Sequence, residues 1–280
     1  MAAVVIAAHN EGRAIGLALS RLAPLASPGD LELIVVAHGC TDDTAKVASS
    51  FGPAVRVISI GHASKQQALR AGDEAASGFP RVYLDADVEF GAQDLLSLIA
   101  EAGKPGVLAA APRLVLRTDG CPWPVRWYYE VYLRLPEVRR GLVGRGMIAV
   151  SEAGHRRLAA YVPPLGYDLA AYLAFAPAER RVVSAASVHR RPPRTVAVLL
   201  TGRISAAVAL ARFEHKRHLR PSRVWTRPAD LAGIVMSAPS LAPKVAWFML
   251  IVAIAKLCAR AAIARDVWRA RSARRLGKGA

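Results

Sequence analysis

The chain has 280 residues, 53% of them hydrophobic, which is enough to bury a large core and excludes a disordered protein. Its formal net charge of +17 favours anionic partners such as phosphates or lipid headgroups. Three distant cysteines, Cys40, Cys121 and Cys258, have no CxxC spacing and indicate neither a disulfide framework nor a zinc site. Without a basic leader before the first apolar run, we expect a cytoplasmic protein.

Short apolar runs alternate with longer segments of helical periodicity over the first ninety residues. The runs predict strands at residues 3–8, 33–37, 55–60 and 82–84. The segments between them predict helices at residues 11–22, 42–50 and 65–76. This alternation predicts an α/β fold with a mostly parallel sheet flanked by helices.

Polar residues follow each predicted strand, where ligands bind in open sheets of this kind. These residues are His9-Asn10-Glu11, His38-Gly39-Cys40, Gly61-His62 and Asp85-Ala86-Asp87. Asp85 and Asp87 form a DXD motif, and in an extended chain their side chains project to the same side. Such a pair is suited to Mg²⁺ or Mn²⁺ bridging to substrate phosphates. The alternative is a pair of solvated turn aspartates, which the position after a buried strand disfavours.

The second half of the chain is less regular. We expect a helix at 92–102, strands at 107–111 and 182–188, and helices from Ser151 and at 166–176, 195–218 and 243–271. The predicted domains are residues 1–194, with a nucleotide half at 1–90 and an acceptor half at 91–194, and a basic helical extension at 195–280.

The extension contains a charge-free apolar run at residues 245–255. This run is shorter than the about 20 residues that span a bilayer, so it favours an amphipathic helix whose basic ends meet lipid headgroups. A helix packed on the domain and a tilted insertion are the alternatives. No nucleic-acid recognition motif accompanies the basic clusters, so no nucleic-acid partner is expected.

Three stretches together resemble the family 2 glycosyltransferases, whose fold is called GT-A. They are VVIAAHNE at residues 4–11, LIVVAHGCTDDT at 33–44, and GHASK at 61–65, which runs on into a helix. With the DXD motif they cover residues 3–90 in the order of that family. The resemblance implies a GT-A fold and a nucleotide-sugar-dependent glycosyltransferase.

The resemblance also implies roles for individual residues. Ala8, His9 and Glu11 are expected to line the nucleotide-sugar site, Asp85 to contact the nucleotide, and Asp87 to hold Mg²⁺ or Mn²⁺ on the diphosphate. Each of these residues follows a predicted strand, so the expected roles agree with the physical prediction of a phosphate and metal site.

Three further positions carry alternatives. Lys65 is expected to contact a phosphate, and the alternative is a solvated residue at a helix start. His189 is expected to complete the metal shell, and the alternative is a surface histidine in a basic turn. Where the family commonly carries acidic residues, this chain has Ala37-His38, which leaves the donor base open.

Asp168, at the start of a predicted helix, is the candidate general base for an inverting transfer, because the resemblance implies an acidic base after a small-residue segment, which Gly144-Arg145-Gly146-Met147 resembles here. A carboxylate that only interacts with the helix dipole is the alternative. We therefore expect an inverting glycosyltransferase with an unidentified acceptor, for which a lipid-linked molecule is a candidate. The enzyme is expected to be cytoplasmic and peripheral to or anchored in the inner membrane face. A degenerate nucleotide- or membrane-binding scaffold and a nucleotidyltransferase are the competing hypotheses.

Overall fold

The computed structural model describes residues 1–26, 31–158, 167–216 and 226–276. Within these ranges, the side chains of residues 168, 169, 216 and 267–276 are not described. The chain forms two compact units: unit one is Met1–Arg117 with Arg140–Arg190, and unit two is Thr118–Arg139 with Arg191–Ala280. The limits 1–194 and 195–280 derived from the sequence stay a prediction.

The described strands of unit one form one sheet in the order β3-β2-β1-β4-β6-β5-β7. They are β1 (Ala2–Ala8), β2 (Leu31–His38), β3 (Arg56–Ile60), β4 (Arg81–Asp85), β5 (Ala109–Leu116), β6 (Met147–Val150) and β7 (Arg180–Arg190). β1 pairs in parallel with β2 and β4, β2 with β3, and β5 with β7, whereas β6 runs antiparallel to β4 and β5. The predicted mostly parallel sheet is confirmed.

The α-helices in the described ranges are numbered in the order in which they occur along the chain. They are α1 (Gly12–Leu22), α2 (Thr44–Ser49), α3 (Lys65–Ala75), α4 (Ala92–Ala102), α5 (Trp123–Tyr132), α6 (Pro136–Arg140), α7 (Glu152–Leu158), α8 (Tyr167–Ala174), α9 (Val196–Lys216), α10 (Pro228–Ser237) and α11 (Ala242–Leu276). The helices predicted in the first ninety residues are all present. The sequence did not predict α5, α6 or α10.

The core of unit one is centred on β1, in which every residue is buried. A strand between two parallel neighbours is covered on both faces, so it has a continuous apolar run instead of an alternating one. The apolar side of α1, with Ile15, Leu19 and Leu22, joins the same core. Burial on both sides is the reason that the first strands could be located from composition.

Strand register brings the ends of β1, β2 and β4 to one edge of the sheet. Ala8 at the end of β1 pairs with Ala37, and Ala7 pairs with Asp85, the last residue of β4. On the other side of β4, the amide of Asp85 donates a 2.8 Å hydrogen bond to the carbonyl of Gly146. The ends of β1 and β4 and the loop before β6 therefore meet at Asp85, and the end of β2 lies beside them on the other side of β1.

Two strands are longer than their apolar runs predicted. β5 extends to Leu116 and β7 spans Arg180–Arg190, because the two strands pair in parallel along their whole length. The register shifts between Pro112 and Arg113, whose partners on β7 are Val183 and Ser187. Hydrogen bonding between strands distant in sequence extends them beyond their apolar residues.

Unit two is built around the packing of α9 against α11. Small residues lie at this contact, and they are Ala207 from α9 with Ala255 and Ala259 from α11. α5 also packs on α11, where the rings of Tyr128 and Phe248 stack at 4.9 Å. A 2.7 Å ion pair between Lys244 and Glu130 joins the same two helices.

Two helical segments in the described ranges, Val196–His215 and Pro239–Asp266, are long and apolar enough to cross a membrane by length and composition. The charge-free run at 245–255 had suggested a segment too short for this. The run is only the centre of a longer helix, and the isolated charges at its ends do not interrupt the apolar character of the whole segment.

Candidate functional site

The loops after β1 and β2 are tied together by Asn10. Its backbone is left-handed, with φ of 54°, a conformation that asparagine tolerates better than most residues. The side-chain oxygen Oδ1 accepts hydrogen bonds from the amides of Thr41 at 2.8 Å and Asp42 at 3.3 Å. Asn10 thereby fixes one strand-end loop against the other.

Asp42 and Thr44 hold the starts of α1 and α2 together. The carboxylate of Asp42 accepts from the amide of Gly12 at 3.2 Å and from the Thr44 hydroxyl at 2.5 Å. The Thr44 hydroxyl oxygen in turn accepts from the amide of Glu11 at 2.8 Å. The hydrogen bond from Thr44 is the main reason that the pKa of Asp42 is lowered.

His9, Glu11 and His38 form the part of the site predicted to receive the nucleotide. The Nδ1 atom of His9 donates to the carbonyl of His38 at 2.7 Å, and the two rings stack with centroids 5.3 Å apart. The Glu11 carboxylate accepts from the amide of His9 at 3.2 Å. Burial raises the pKa of Glu11 and lowers that of His38, because both charged forms lose hydration.

Ala8 ends β1 directly beside these residues. It is fully buried, and its carbonyl accepts a 3.5 Å hydrogen bond from the thiol of Cys40. The Nδ1 atom of His38 is buried and has no hydrogen-bond partner in the described part of the chain. The Ala37-His38 position thus presents an imidazole whose charged form is disfavoured by burial, where an acidic side chain was expected from the family pattern.

The DXD motif lies between two basic side chains. The Nζ atom of Lys65, the first residue of α3, lies 2.6 Å from Asp85 Oδ1. The guanidinium of Arg190, the last residue of β7, lies 3.6 Å from Asp85 Oδ2 and 3.1 Å from Asp87 Oδ2. Both aspartates also contribute to the raised pKa of Glu11, which follows β1. The ends of β1, β4 and β7 therefore supply one cluster of charged side chains.

Gly146 provides the space in which Arg190 approaches Asp85. Its φ is +70°, which favours glycine. A Cβ atom there would lie 2.5 Å from Cγ2 of Val88, 3.1 Å from Asp85 Oδ2 and 3.2 Å from Arg190 Nη1. The neighbouring Arg145 is buried and donates to the carbonyl of Pro112 at 2.7 Å, so it has a structural role in the loop before β6.

A cavity of about 110 Å³ opens beside Asp85. It is lined by Lys65, Leu69, Tyr83, Leu84, Asp85, Gly146, Met147, Ile148 and Tyr167. The ring of Tyr167 stacks on that of Tyr83 with centroids 3.4 Å apart, which brings the start of α8 to the wall of the cavity. Asp168 is the second residue of α8, and its side chain lies outside the described residues.

A buried polar network fixes this end of α8. The Asp73 carboxylate accepts from the Tyr167 hydroxyl, from the Tyr83 hydroxyl at 2.7 Å and from Arg81 Nη1 at 2.8 Å. Burial raises the pKa of both tyrosines, so they are neutral donors. Asp73 could not be recognised as part of a network from the sequence, because an aspartate near the end of a helix resembles any solvated one.

His189 lies next to Arg190 on β7, and its backbone exchanges hydrogen bonds with Glu89 at 2.7 and 3.1 Å. Its Nδ1 atom is buried without a partner among the described residues. Alternation along a strand puts His189 and Arg190 on opposite faces, and Arg190 is the residue that reaches the DXD motif. The metal-ligand role of His189 stays a prediction.

The carboxylates of Asp85 and Asp87 fit a divalent ion of the kind that keeps several waters and is shared with substrate phosphates. Within the described ranges, no group of three or more His, Cys, Asp or Glu side chains could enclose a metal. Asp85 and Asp87 therefore suit a metal ion that also takes ligands from a phosphorylated substrate.

The fold is that of several solved glycosyltransferases. Mannosyltransferase PcManGT from Pyrobaculum calidifontis, solved with GDP-Man and Mn²⁺, is 20% identical, with a TM-score of 0.59 over 97% of this chain and 80% of that chain. Glucosyl-3-phosphoglycerate synthase from Mycobacterium tuberculosis, solved with Mn²⁺, UDP-Glc and phosphoglyceric acid, is 22% identical, with a TM-score of 0.56 over 79% of this chain and 81% of that chain.

The sequence comparisons define the family. A search of curated proteins found no significant match. The model of Glycosyl transferase family 2 matches residues 3–151, which is more than half of the chain. The resemblance and the GT-A fold expected from the sequence are both confirmed. The protein is a glycosyltransferase that belongs to glycosyl transferase family 2.

Proposed function

We propose that the protein transfers a sugar, with inversion, from a nucleoside diphosphate sugar to an acceptor hydroxyl, with the help of Mg²⁺ or Mn²⁺. The observation that carries the proposal is the cluster of Lys65, Asp85, Asp87 and Arg190 at the carboxyl edge of the sheet. The two solved relatives above are complexes with a nucleotide sugar and Mn²⁺, which supports the same donor class here.

The cluster matches the charge of the leaving group. A nucleoside diphosphate gains negative charge as the glycosidic bond breaks, and fixed positive charges stabilise it. A divalent ion on Asp85 and Asp87 would supply part of that charge. The ammonium of Lys65 lies 2.6 Å from the Asp85 carboxylate, within the same cluster. Lys65 is thus placed to bind a phosphate once the donor is present.

The nucleoside is assigned to the region of Ala8, His9 and Glu11. Glu11 is held by the amide of His9, and its raised pKa follows from burial. Carboxylate oxygens accept hydrogen bonds from ribose hydroxyls or base N–H groups. The buried imidazole of His38 beside them offers one hydrogen-bond donor and one acceptor when neutral, whereas an acidic residue offers only acceptors. We therefore expect it to favour a nucleobase with a different arrangement of donors and acceptors.

Asp168 is proposed as the general base. It would take the proton of the acceptor hydroxyl while that oxygen attacks the anomeric carbon from the face opposite the diphosphate. Two observations support this role: Asp168 follows Tyr167, whose ring lines the cavity next to Asp85, and α8 is anchored to the sheet through Asp73.

Release of nucleoside diphosphate from a panel of nucleotide sugars, with and without Mn²⁺, tests the proposal. We expect metal-dependent release from one donor class and a loss of about 100-fold or more in Asp87→Asn, because transition-state charge stabilisation is the largest catalytic effect. The matched control is Glu74→Gln, an exposed carboxylate on α3 paired with Arg70, which should retain wild-type release. Wild-type metal-dependent release by Asp87→Asn would refute the assigned site.

We also propose that unit two binds the inner face of an anionic membrane, which would suit a lipid-linked acceptor. α9 and α11 expose large apolar side chains, including Val198, Met249, Leu250 and Leu257. The exposed apolar side chains and the positive net charge of the chain together fit a bilayer with anionic headgroups. All three cysteines are free thiols, consistent with the cytoplasmic side.

Sedimentation with vesicles tests this surface. We expect binding to phosphatidylglycerol vesicles and a marked loss in the double variant Leu250→Ser with Leu257→Ser. A control double variant in unit one, Leu17→Ser with Leu96→Ser, also removes two exposed leucines and should bind as the wild type does. Equal binding by both variants would contradict the assigned surface, and binding to neutral vesicles alone would contradict the charge preference.

A further inference from the structure

The Arg190 guanidinium is bound to the very oxygens that a metal ion would need. Its Nη2 atom lies 3.2 Å from Oδ1 and 3.1 Å from Oδ2 of Asp87, and Nη1 lies 3.6 Å from Oδ2 of Asp85. Arginine does not lose its proton in proteins, so this cation cannot be neutralised by a change of pH. Any divalent ion on Asp87 must therefore compete with Arg190.

The position of Arg190 follows from the fold and not from a flexible surface contact. Its carbonyl accepts a 2.9 Å hydrogen bond from the amide of Arg117. The backbone amide and carbonyl of the adjacent His189 both form hydrogen bonds with the backbone of Glu89. Gly146 leaves the space beside Asp85 that the guanidinium approaches. The side chain is 28% exposed, so its guanidinium can change partners without unfolding the strand.

A guanidinium is also a strong ligand for a diphosphate. Its planar set of donors matches two phosphate oxygens at once, whereas an ammonium acts as a point charge. Lys65 contacts Asp85 at Oδ1, whereas Arg190 approaches Asp85 at Oδ2 and also contacts Asp87, so the two cations lie at different positions in the cluster.

We propose that Arg190 is a donor-binding residue that occupies Asp87 in the donor-free protein, competes there with the divalent ion, and binds the donor diphosphate once metal and donor are both present. This inference rests on the proposed function. Its consequence is that removing the guanidinium has opposite effects on two ligands: metal binding without nucleotide becomes tighter, and nucleoside diphosphate binding becomes weaker.

The experiment measures both affinities in Arg190→Met. Without nucleotide, free Mn²⁺ is titrated by electron paramagnetic resonance, and we expect binding roughly two- to fivefold tighter, the factor for removal of an exposed ion pair. At saturating Mn²⁺, calorimetry with GDP and UDP should show binding about tenfold weaker, the factor for one lost charged hydrogen bond. Arg190→Lys, which keeps a point charge, should lie between the two proteins in both titrations.

Arg181→Met is the matched control, because Arg181 lies on the same strand and donates to the nearby carbonyls of Ala178 and Arg180. The affinities of Arg181→Met for Mn²⁺ and for nucleoside diphosphate should equal those of the wild type. This result would show that the effects of Arg190→Met come from the contact with Asp85 and Asp87 and not from the loss of one positive charge. Thermal melting checks that each variant is folded. If Arg190→Met does not fold, the comparison of Arg190→Lys with the wild type decides.

Unchanged or weaker Mn²⁺ binding in the folded Arg190 variants, or unchanged nucleotide binding, overturns the inference. Absence of Mn²⁺ binding in wild type and variants alike overturns it as well. The proposed function fails by a different result, which is absence of nucleoside diphosphate release from every donor tested with the wild-type protein. Opposite shifts of the two affinities support the assigned role of Arg190.

Discussion

Lys65 Nζ lies 2.6 Å from Asp85 Oδ1, which links the first residue of α3 to the last residue of β4. Ser64 caps the start of α3, because its hydroxyl oxygen accepts a 3.4 Å hydrogen bond from the amide of Gln67. The ion pair therefore joins two well-ordered elements at the point where a donor phosphate is proposed to bind.

Replacing Lys65 by methionine should weaken nucleoside diphosphate binding about tenfold, since one charged contact to a phosphate is lost. The free energy of unfolding should change by less than about 1 kcal/mol, because the pair is exposed and screened. Calorimetry with GDP or UDP and urea denaturation measure the two quantities. Lys46→Met in α2, also an exposed lysine, should change neither, and equal nucleotide affinity in both variants would argue against a phosphate contact.

Gly146 and Gly106 form a matched pair for separating backbone strain from crowding. Both have a positive φ, 70° at Gly146 and 78° at Gly106. A Cβ atom added at Gly146 would collide with Val88, whereas one added at Gly106 would meet no atom within 4 Å. Each alanine variant should lose about 1–2 kcal/mol of unfolding free energy from its left-handed backbone. Only Gly146→Ala should also lose nucleotide binding. Retained binding in that variant would show that the site tolerates displacement of Asp85 or Arg190.

The Asp73 network should be a major source of stability in unit one. In Asp73→Asn the buried Arg81 guanidinium loses its carboxylate, and we expect a loss of about 3–5 kcal/mol in the free energy of unfolding. Tyr167→Phe removes one hydrogen bond and should cost about 1–2 kcal/mol. Urea denaturation measures both, with the exposed neighbour Glu74→Gln as control. Similar stabilities for Asp73→Asn and Glu74→Gln would contradict a buried network.

Glu11 should give the protein a measurable dependence of stability on pH. Burial raises its pKa above the ordinary value of 4.5, so the folded state holds the proton more tightly than the unfolded state. This contribution to stability is complete below about pH 4.5 and is lost as the pH rises through the raised pKa. Glu11→Gln has no proton to lose at this position, so its stability does not fall with pH for this reason. The carboxamide oxygen can still accept the hydrogen bond from the amide of His9.

The unfolding free energy of Glu11→Gln relative to wild type should therefore rise between pH 4.5 and pH 7.5. Urea denaturation at several pH values gives this difference directly. Glu74→Gln, whose carboxylate is exposed in its pair with Arg70, is measured in parallel as the control substitution. A flat profile for Glu11→Gln would mean that the carboxylate is hydrated in the folded state.

The first ninety residues could be interpreted from the sequence because their strands are buried on both faces. Continuous apolar runs such as β1 and β4 are recognisable without knowledge of their partners, and parallel strands bring the residues that follow them to one edge. The grouping of His9, Glu11, Lys65 and Asp85 follows from these two facts. α5 was harder to predict, because a run of aromatic residues suits a helix and a strand alike.

The sequence by itself determined the family, the mostly parallel sheet and the DXD motif at the end of β4, since these depend on local apolar runs and short motifs. Only the tertiary structure decided that Arg190, and not His189, contacts Asp87. β5 and β7 pair in parallel with a register shift between Pro112 and Arg113, and side chains alternate between the faces of a strand. If β7 were shifted by one residue along β5, His189 would take the place of Arg190 on the face toward the DXD motif. The side chain that reaches the site therefore depends on pairing between strands about seventy residues apart.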